Sequence, residues 1–497
     1  MYLVCKLLYV AVFALLSAAP PYLPLYYHDV LGFSSDQIGF VLAIAPFIQS
    51  ISCPLWSVLV DKFPRWHGTV MAITSFIGGA SVMGIMVMGH IISVESIPKK
   101  FIPELSNSML VAITSALALA FAFFSLPNMS LVDSAVMKIL GPNKILYGEQ
   151  RLWGSVSAGL TILIVGQLVS ITGNLDALFW VFGGSTVVFI TLCLFTNISS
   201  TDPSYMMISE IGGEPNRNNR LVPIMTGNSE KYLNNNRINN YSSITQDLPD
   251  LTKLNSIASH TVREEADETL DTIGLDLGLS ISRIASIDHS IASIIEHHEE
   301  LPPVNVFKSL RVVTFLSTTL FFGFVLSIIV NFLFLFLSRD LLMPASWIGW
   351  TGPTSGITEL MCFCFSKQLT EKFGVTNMIV AAHVATILRC LAYTILAPDS
   401  LLTNISALLL QTLHGIGFGI FWATSVSEVD SFFPPEQRSI AQGLLGALHA
   451  GLGQGIGAFC GGYLYEYLGA IWMFRVAAAV AALNMGVFCL GRLERFN

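Results

Sequence analysis

Residues 312–337 read VVTFLSTTLFFGFVLSIIVNFLFLFL, an unbroken run without Asp, Glu, Lys or Arg. As a helix rising 1.5 Å per residue the run reaches about 39 Å, enough to cross the ~30 Å hydrocarbon core of a bilayer. Similar apolar segments follow it at 346–366, 375–397, 402–427, 439–462 and 469–491. Six more precede it at 2–27, 37–60, 69–92, 108–133, 152–172 and 176–197, so that twelve segments fall six and six around a polar stretch, 198–306. This pattern predicts an all-α membrane protein of twelve transmembrane helices in two six-helix bundles, 1–197 and 307–497.

Composition excludes a water-soluble enzyme or nucleic-acid binder. The 497-residue chain is 53% hydrophobic and 12% charged, whereas an ordinary soluble domain carries about 25% charged residues. All eight cysteines lie inside apolar segments and none forms a CxxC pair, so neither a disulfide framework nor a metal centre is expected. No nucleotide-binding motif accompanies the glycines, which argues against an ATP-driven pump. The chain calls for no cofactor, and the expectation is a protein that is not an enzyme.

Orientation follows from basic residues, which favour short cytoplasmic loops. One set of loops holds Lys62, Arg65, Lys138, Lys144, Arg151, Lys367, Lys372 and Arg438, and the tail adds Arg492 and Arg495. The opposite set holds Lys99, Lys100 and Arg339. Both termini and the central segment are therefore expected in the cytoplasm. That segment, 198–306, is rich in Asn and Ser and holds 16 acidic against 7 basic residues, so it supplies −9 of the formal charge of −8. Its composition predicts a largely disordered linker, with one amphipathic stretch from Leu277 to Ile295.

The halves repeat each other. Leu59-Val60-Asp61-Lys62-Phe63 after the second segment answers Leu369-Thr370-Glu371-Lys372-Phe373 after the eighth, and Ser130-Leu131-Val132-Asp133-Ser134 answers Ser427-Glu428-Val429-Asp430-Ser431. Downstream of each acid an Arg opens the next helix, Arg151 or Arg438. Asp61, Lys62 and Arg65, together with the pairs Asp133/Arg151 and Asp430/Arg438, are read as gating charges at the inner helix ends.

Charges at mid-depth cost several kcal/mol unless paired or hydrated, and so mark a pathway or a relay. Glu359 lies about 10 Å of helix rise from the inner end of its segment, with Arg389 about 20 Å, His414 about 15 Å and His449 about 16 Å into theirs. Carboxylates and imidazoles can trade protons; they can equally serve as satisfied interhelical bonds. Gln49, Asn128, Trp153, Phe418 and Trp422 offer amides and aromatic faces to a polar solute. The tyrosines Tyr22, Tyr26 and Tyr27 suit either such a site or an interfacial belt.

Several local motifs resemble the major facilitator superfamily, in particular its lactose-permease-like branch. They are Pro21-Tyr22-Leu23-Pro24 with Leu31-Gly32-Phe33-Ser34 and Ile38-Gly39, Pro54-Leu55-Trp56 through Asp61-Lys62, Tyr147 through Ser155, Leu413-His414-Gly415 with Phe421-Trp422, and Gln442-Gly443 with the glycines through Gly462. Ser57 replaces the glycine usual four residues before the loop Asp, and Gly417 and Phe418 stand where a coupling carboxylate is usual beyond the His. The resemblance implies proton-coupled symport of a small polar organic solute, sugar- or nucleoside-like, by alternating access. It further implies Glu359, Arg389 and His414 as coupling residues. Protons, the solute and the lipid bilayer are the expected partners of a monomer, with no nucleic acid. A non-transporting receptor on the same fold is the alternative.

Overall fold

The computed structural model describes residues 2–93, 107–141, 146–196, 309–433 and 438–493. All regular elements among them are helical. The linker 198–306, with its amphipathic stretch, lies outside the described residues.

The first span is broken into α1 (Leu3–Ala18) and α2 (Leu23–Asp29) where Pro20-Pro21 interrupt the hydrogen-bond ladder. Then come α3 (Ser35–Lys62), α4 (His67–Ser93), α5 (Asn107–Phe124), α6 (Asn128–Leu140), α7 (Tyr147–Thr172) and α8 (Ala177–Phe195). The second half has α9 (Leu310–Arg339), α10 (Ala345–Gly349), α11 (Thr351–Tyr393), α12 (Leu401–Phe432), α13 (Arg438–Gly446), a π-helical turn (Ala447–Gly453), α14 (Gln454–Leu468) and α15 (Ala470–Leu490).

Ten helical stretches among the described residues are long and apolar enough to cross a membrane. One of them, Ala345–Tyr393, is two spans, because Gly374 at φ 79° and ψ 153° turns the chain between them. The remaining span, 438–468, is not among those ten and is built of α13, the π turn and α14. Together these make the twelve-helix major facilitator fold. Large side chains such as Ile73, Phe76, Val187 and Leu483 are more than half exposed on its exterior, as a lipid-facing wall requires.

The turns after the first and seventh spans share a shape. Gly32 has φ 68° and Leu342 has φ 55°, and each precedes an Ile-Gly-aromatic triplet, Ile38-Gly39-Phe40 or Ile348-Gly349-Trp350. Those two glycines carry the contact between the halves. A Cβ on Gly39 would lie 2.7 Å from the Ala458 carbonyl oxygen and 2.8 Å from the Gly462 Cα, and a Cβ on Gly166 would lie 2.6 Å from the Gly349 Cα. So α3 meets α14, and α7 meets α10, backbone against backbone.

All of these contacts lie at the end of the bundle opposite the termini. There Asp29 accepts hydrogen bonds from Arg339, Nε at 2.6 Å, the Ser35 amide donates to Glu466 Oε2 at 2.7 Å, and Gln167 Nε2 donates to the Ser346 carbonyl at 3.0 Å. Past Gly159, whose Cβ would stand 3.3 Å from Pro353, an apolar cleft of ≈ 140 Å³ between Ser155, Val156, Leu160, Gly356, Ile357 and Leu360 parts α7 from α11. At the terminus end the ion pairs stay within each half, Lys6 with Glu149 and Asp61 with Lys138 in the first, Arg311 and Arg492 with Glu428 in the second.

Bulk at the glycine contacts is therefore expected to open the sealed end. In Gly39→Trp and Gly166→Trp, spin labels at positions 36 and 467 should report a longer distance than in the parent protein. An unchanged distance in a folded variant would show that the seal does not depend on close backbone approach.

Candidate functional site

In the second half the mid-depth charges gather around α12. Its glycines let α11 come close: a Cβ on Gly415 would fall 2.0 Å from Thr358 Oγ1, and one on Gly419 2.9 Å from the Cys362 Cβ. On another face of α12, Gln411, His414, Phe418 and Trp422 follow at near-helical spacing. Arg389, 2% exposed, reaches from α11 to this face. Its guanidinium donates to His414 Nδ1 at 2.9 Å, to Gln411 Oε1 at 2.9 Å and to the Tyr393 hydroxyl at 3.2 Å. An arginine donates and cannot accept, so the network assigns His414 the neutral tautomer with hydrogen on Nε2.

His414, Phe418 and Trp422 form a ladder of near-parallel rings, with centroids 6.2 and 6.1 Å apart and interplanar angles of 10° and 18°. His414 and Phe418 are partly exposed, and Trp422 is buried. Against the ladder stands His449, 1% exposed, its ring 4.8 Å from that of Trp422. It lies on the π turn, and its carbonyl oxygen would be 2.4 Å from a Cβ on Gly323 of α9. A π turn shifts helix register by one residue, the kind of local irregularity found often at functional sites. His449 Nε2 and Trp422 Nε1 are both buried without a hydrogen-bond partner among the described residues. Glu359 is partly exposed, with no hydrogen bond or ion pair among the described residues, and it is not joined to Arg389.

The first half is dominated by Asp133, fully buried on α6. Its Oδ1 accepts from the Tyr9 hydroxyl at 2.6 Å and the Tyr147 hydroxyl at 2.7 Å, and its Oδ2 from Arg151 at 2.6 Å. The two residues paired from sequence are thus brought together, with two tyrosines added. Asp61 bonds to Lys138 at 2.8 Å, while Lys62 lies over the Phe63 ring and Arg65 is exposed. Asn128 is enclosed between α6 and α4, its amide engaged by Thr74 and Ser75 at 2.9 and 3.0 Å. Trp153 is 45% exposed beside Lys6, far along the chain's fold from the ring ladder. Gln49 is partly buried on α3, next to Ser50, whose hydroxyl would be 2.5 Å from a Cβ on Gly451 of the π turn. Tyr22 is buried, with its hydroxyl on the Ile162 carbonyl and its ring edge-on to Phe334.

In the second half further residues join the acids at the helix ends. Glu428 Oε1 accepts from Arg311 at 2.8 Å and Arg492 at 2.7 Å. Asp430 accepts from Gln442 at 2.5 Å, and Gln442 holds the place in α13 that Arg151 holds in α7, four residues past the helix start. Arg438 begins α13, but its side chain is outside the described residues. Among the described residues no group of three His, Cys, Asp or Glu is placed to hold a metal.

The model of the MFS_1 like family matches residues 2–476. The chain is similar in structure to the nucleoside transporter NupG, with TM-score 0.65, 15% identity and 99% of each chain covered. It is also similar to a bacterial homologue of the iron transporter ferroportin, both at 13% identity: TM-score 0.59 in the inward-facing state, covering 99% of each chain, and 0.50 in the outward-facing state, covering 99% of this chain and 100% of that one.

Separating Asp133 from Arg151 is expected to be costly. Arg151→Gln leaves a buried carboxylate short of its counter-charge, a loss of about 3–5 kcal/mol in such settings. The double variant Asp133→Asn/Arg151→Gln should melt at a higher temperature in detergent than Arg151→Gln alone. Additive losses in that cycle would mean the two charges are not coupled.

Proposed function

This chain belongs to the MFS_1 like family and is a multi-pass membrane transporter of that kind, and we propose that it is a secondary active transporter carrying a small polar organic solute with protons by alternating access. Residues 1–197 and 307–497 act as the two rocking bundles, and 198–306 as the cytoplasmic linker between them. With both termini in the cytoplasm, the state described is open inward and sealed outward. The higher score against the inward-facing ferroportin homologue than against its outward-facing state supports that assignment.

One observation carries the coupling: Glu359, a carboxylate within a membrane span, has no partner among the described residues, whereas the buried Asp133 and Glu428 hold arginines. A carboxylate in such surroundings is costly while it is charged and unpaired. A group that must gain a proton to be buried, and lose it to be hydrated, ties proton movement to the rocking of the bundles. His414, Phe418, Trp422, His449 and Gln49 form the solute-facing set. The charges Asp61, Lys62, Arg65, Asp133, Arg151, Asp430 and Arg438 act at the inner gate, joined by Lys138, Arg311, Arg492 and Glu428.

A solute screen in proteoliposomes, with and without an imposed pH gradient, tests transport itself; a protein that moves no solute in either condition is a receptor instead. Glu359→Gln then isolates coupling. Solute exchange should persist in this variant while uphill accumulation driven by the pH gradient is lost. Retained accumulation would reduce Glu359 to a structural role. An epitope inserted near Asn235 checks the orientation, since antibody should reach it only after the membrane is permeabilised.

A further inference from the structure

Asp133 and Glu428 give the arginines beside them a carboxylate partner, but Arg389 is treated differently. Its three hydrogen-bond partners, His414, Gln411 and Tyr393, are all neutral, and no carboxylate is within ion-pair distance among the described residues. A buried cation without a counter-charge is strongly unfavourable, and neutral acceptors recover only part of the lost hydration. Of the five N–H groups of a guanidinium, three are used, which leaves one on each Nη. His414, fixed as the Nε2–H tautomer, adds a donor on the partly exposed side of α12. The buried, unpartnered Trp422 Nε1 adds another. Around α12 the site is thus rich in donors and positive charge, with stacked aromatic faces beside them.

We infer that the transported solute carries an anionic oxygen group, a carboxylate or a phosphate, received by Arg389 and His414, and a planar ring that lies along Phe418 and Trp422. The inference rests on the transporter reading above and narrows its solute class from small polar organic solutes to ring-bearing organic anions. Arg389 forms the floor of the subsite and His414 its rim. The arriving anion supplies the counter-charge that the helices do not. His449, with its buried Nε2 unpartnered, borders the ring end.

The test is binding by the full-length purified protein in detergent, where neither flux nor a gradient is needed. Benzoate, phenyl phosphate and benzamide present one ring with a carboxylate, a phosphate or a neutral amide. The two anions should raise the melting temperature and benzamide should not, and the anion giving the larger shift distinguishes carboxylate from phosphate. Arg389→Gln should weaken anion binding by about ten- to a hundredfold, the usual worth of hydrogen bonds to a charged group. Arg389→Lys, which keeps charge without the fork, should retain part of it and serves if the glutamine variant does not fold. Phe418→Ala should weaken both anions alike. Equal shifts from benzamide and benzoate, no shift from either anion, or unchanged benzoate affinity in Arg389→Gln would each overturn the inference. Protein that binds benzoate in detergent yet moves no solute in liposomes would overturn the transporter reading and leave the anion subsite standing.

Discussion

Inside a bilayer no water is available to complete an unfinished polar group, so each buried charge or hydrogen-bonding side chain must find a partner in the protein or be destabilising by several kcal/mol. This constraint sorts the interior of the chain. Asp133, with two tyrosines and an arginine, and Glu428, with two arginines, are saturated and hold their bundles together at the inner helix ends. Asn128, bonded to Thr74 and Ser75, is likewise occupied in joining helices. Glu359, Trp422 Nε1 and His449 Nε2 are left over, and Arg389 lacks a counter-charge. These residues belong to three neighbouring spans and the π turn of a fourth, all in the second half.

The same constraint shapes how the halves meet. A seal made of long polar side chains would have to break many bonds on opening, with water entering as it did so. Gly39 against Gly462, and Gly166 against Gly349, instead join the halves by backbone contact with few polar groups to rehydrate. The bonds Arg339–Asp29 and Glu466–Ser35 stand at the rim opposite the termini, where water can replace them. Packing of this kind is sensitive to a single methyl group but costs little to separate, and the alternating access proposed above calls for both properties.

Much of this was legible in the sequence, for reasons that differ by residue. The spans were readable because hydropathy alone decides them, and the segment read as 439–462 falls within the helical stretch 438–468. The Asp133–Arg151 pair was legible because acid and base flank one short inner loop. Glu428 was not matched with Arg311 and Arg492, because its partners begin α9 and follow α15, and no local pattern links such distant positions. Asp61 reads as a gating charge with no partner named, because Lys138, which it meets, stands 77 positions away on α6. The glycine contacts had a signal in the repeated Ile-Gly-aromatic triplets, but the identity of the facing glycine exists only in the packed bundle. The π turn at His449 leaves no mark in composition.

The bond between Arg389 and His414 separates two roles that the sequence grouped together. Because the guanidinium can only donate, it occupies the imidazole lone pair on Nδ1, and adding a proton to His414 requires that bond to break while placing a second positive charge beside the first. His414 is therefore a poor proton carrier in this state and a good hydrogen-bond donor. Glu359 bears no such burden, since it is bonded to neither. The position where a coupling carboxylate is usual beyond the His holds Phe418, which stacks on His414 and extends the ladder to Trp422. On the proposed reading, losing a carboxylate there removes negative charge from the neighbourhood of Arg389 and replaces it with a ring. The substitution that departs from the lactose-permease-like pattern thus leaves the arginine's charge to be balanced by the solute.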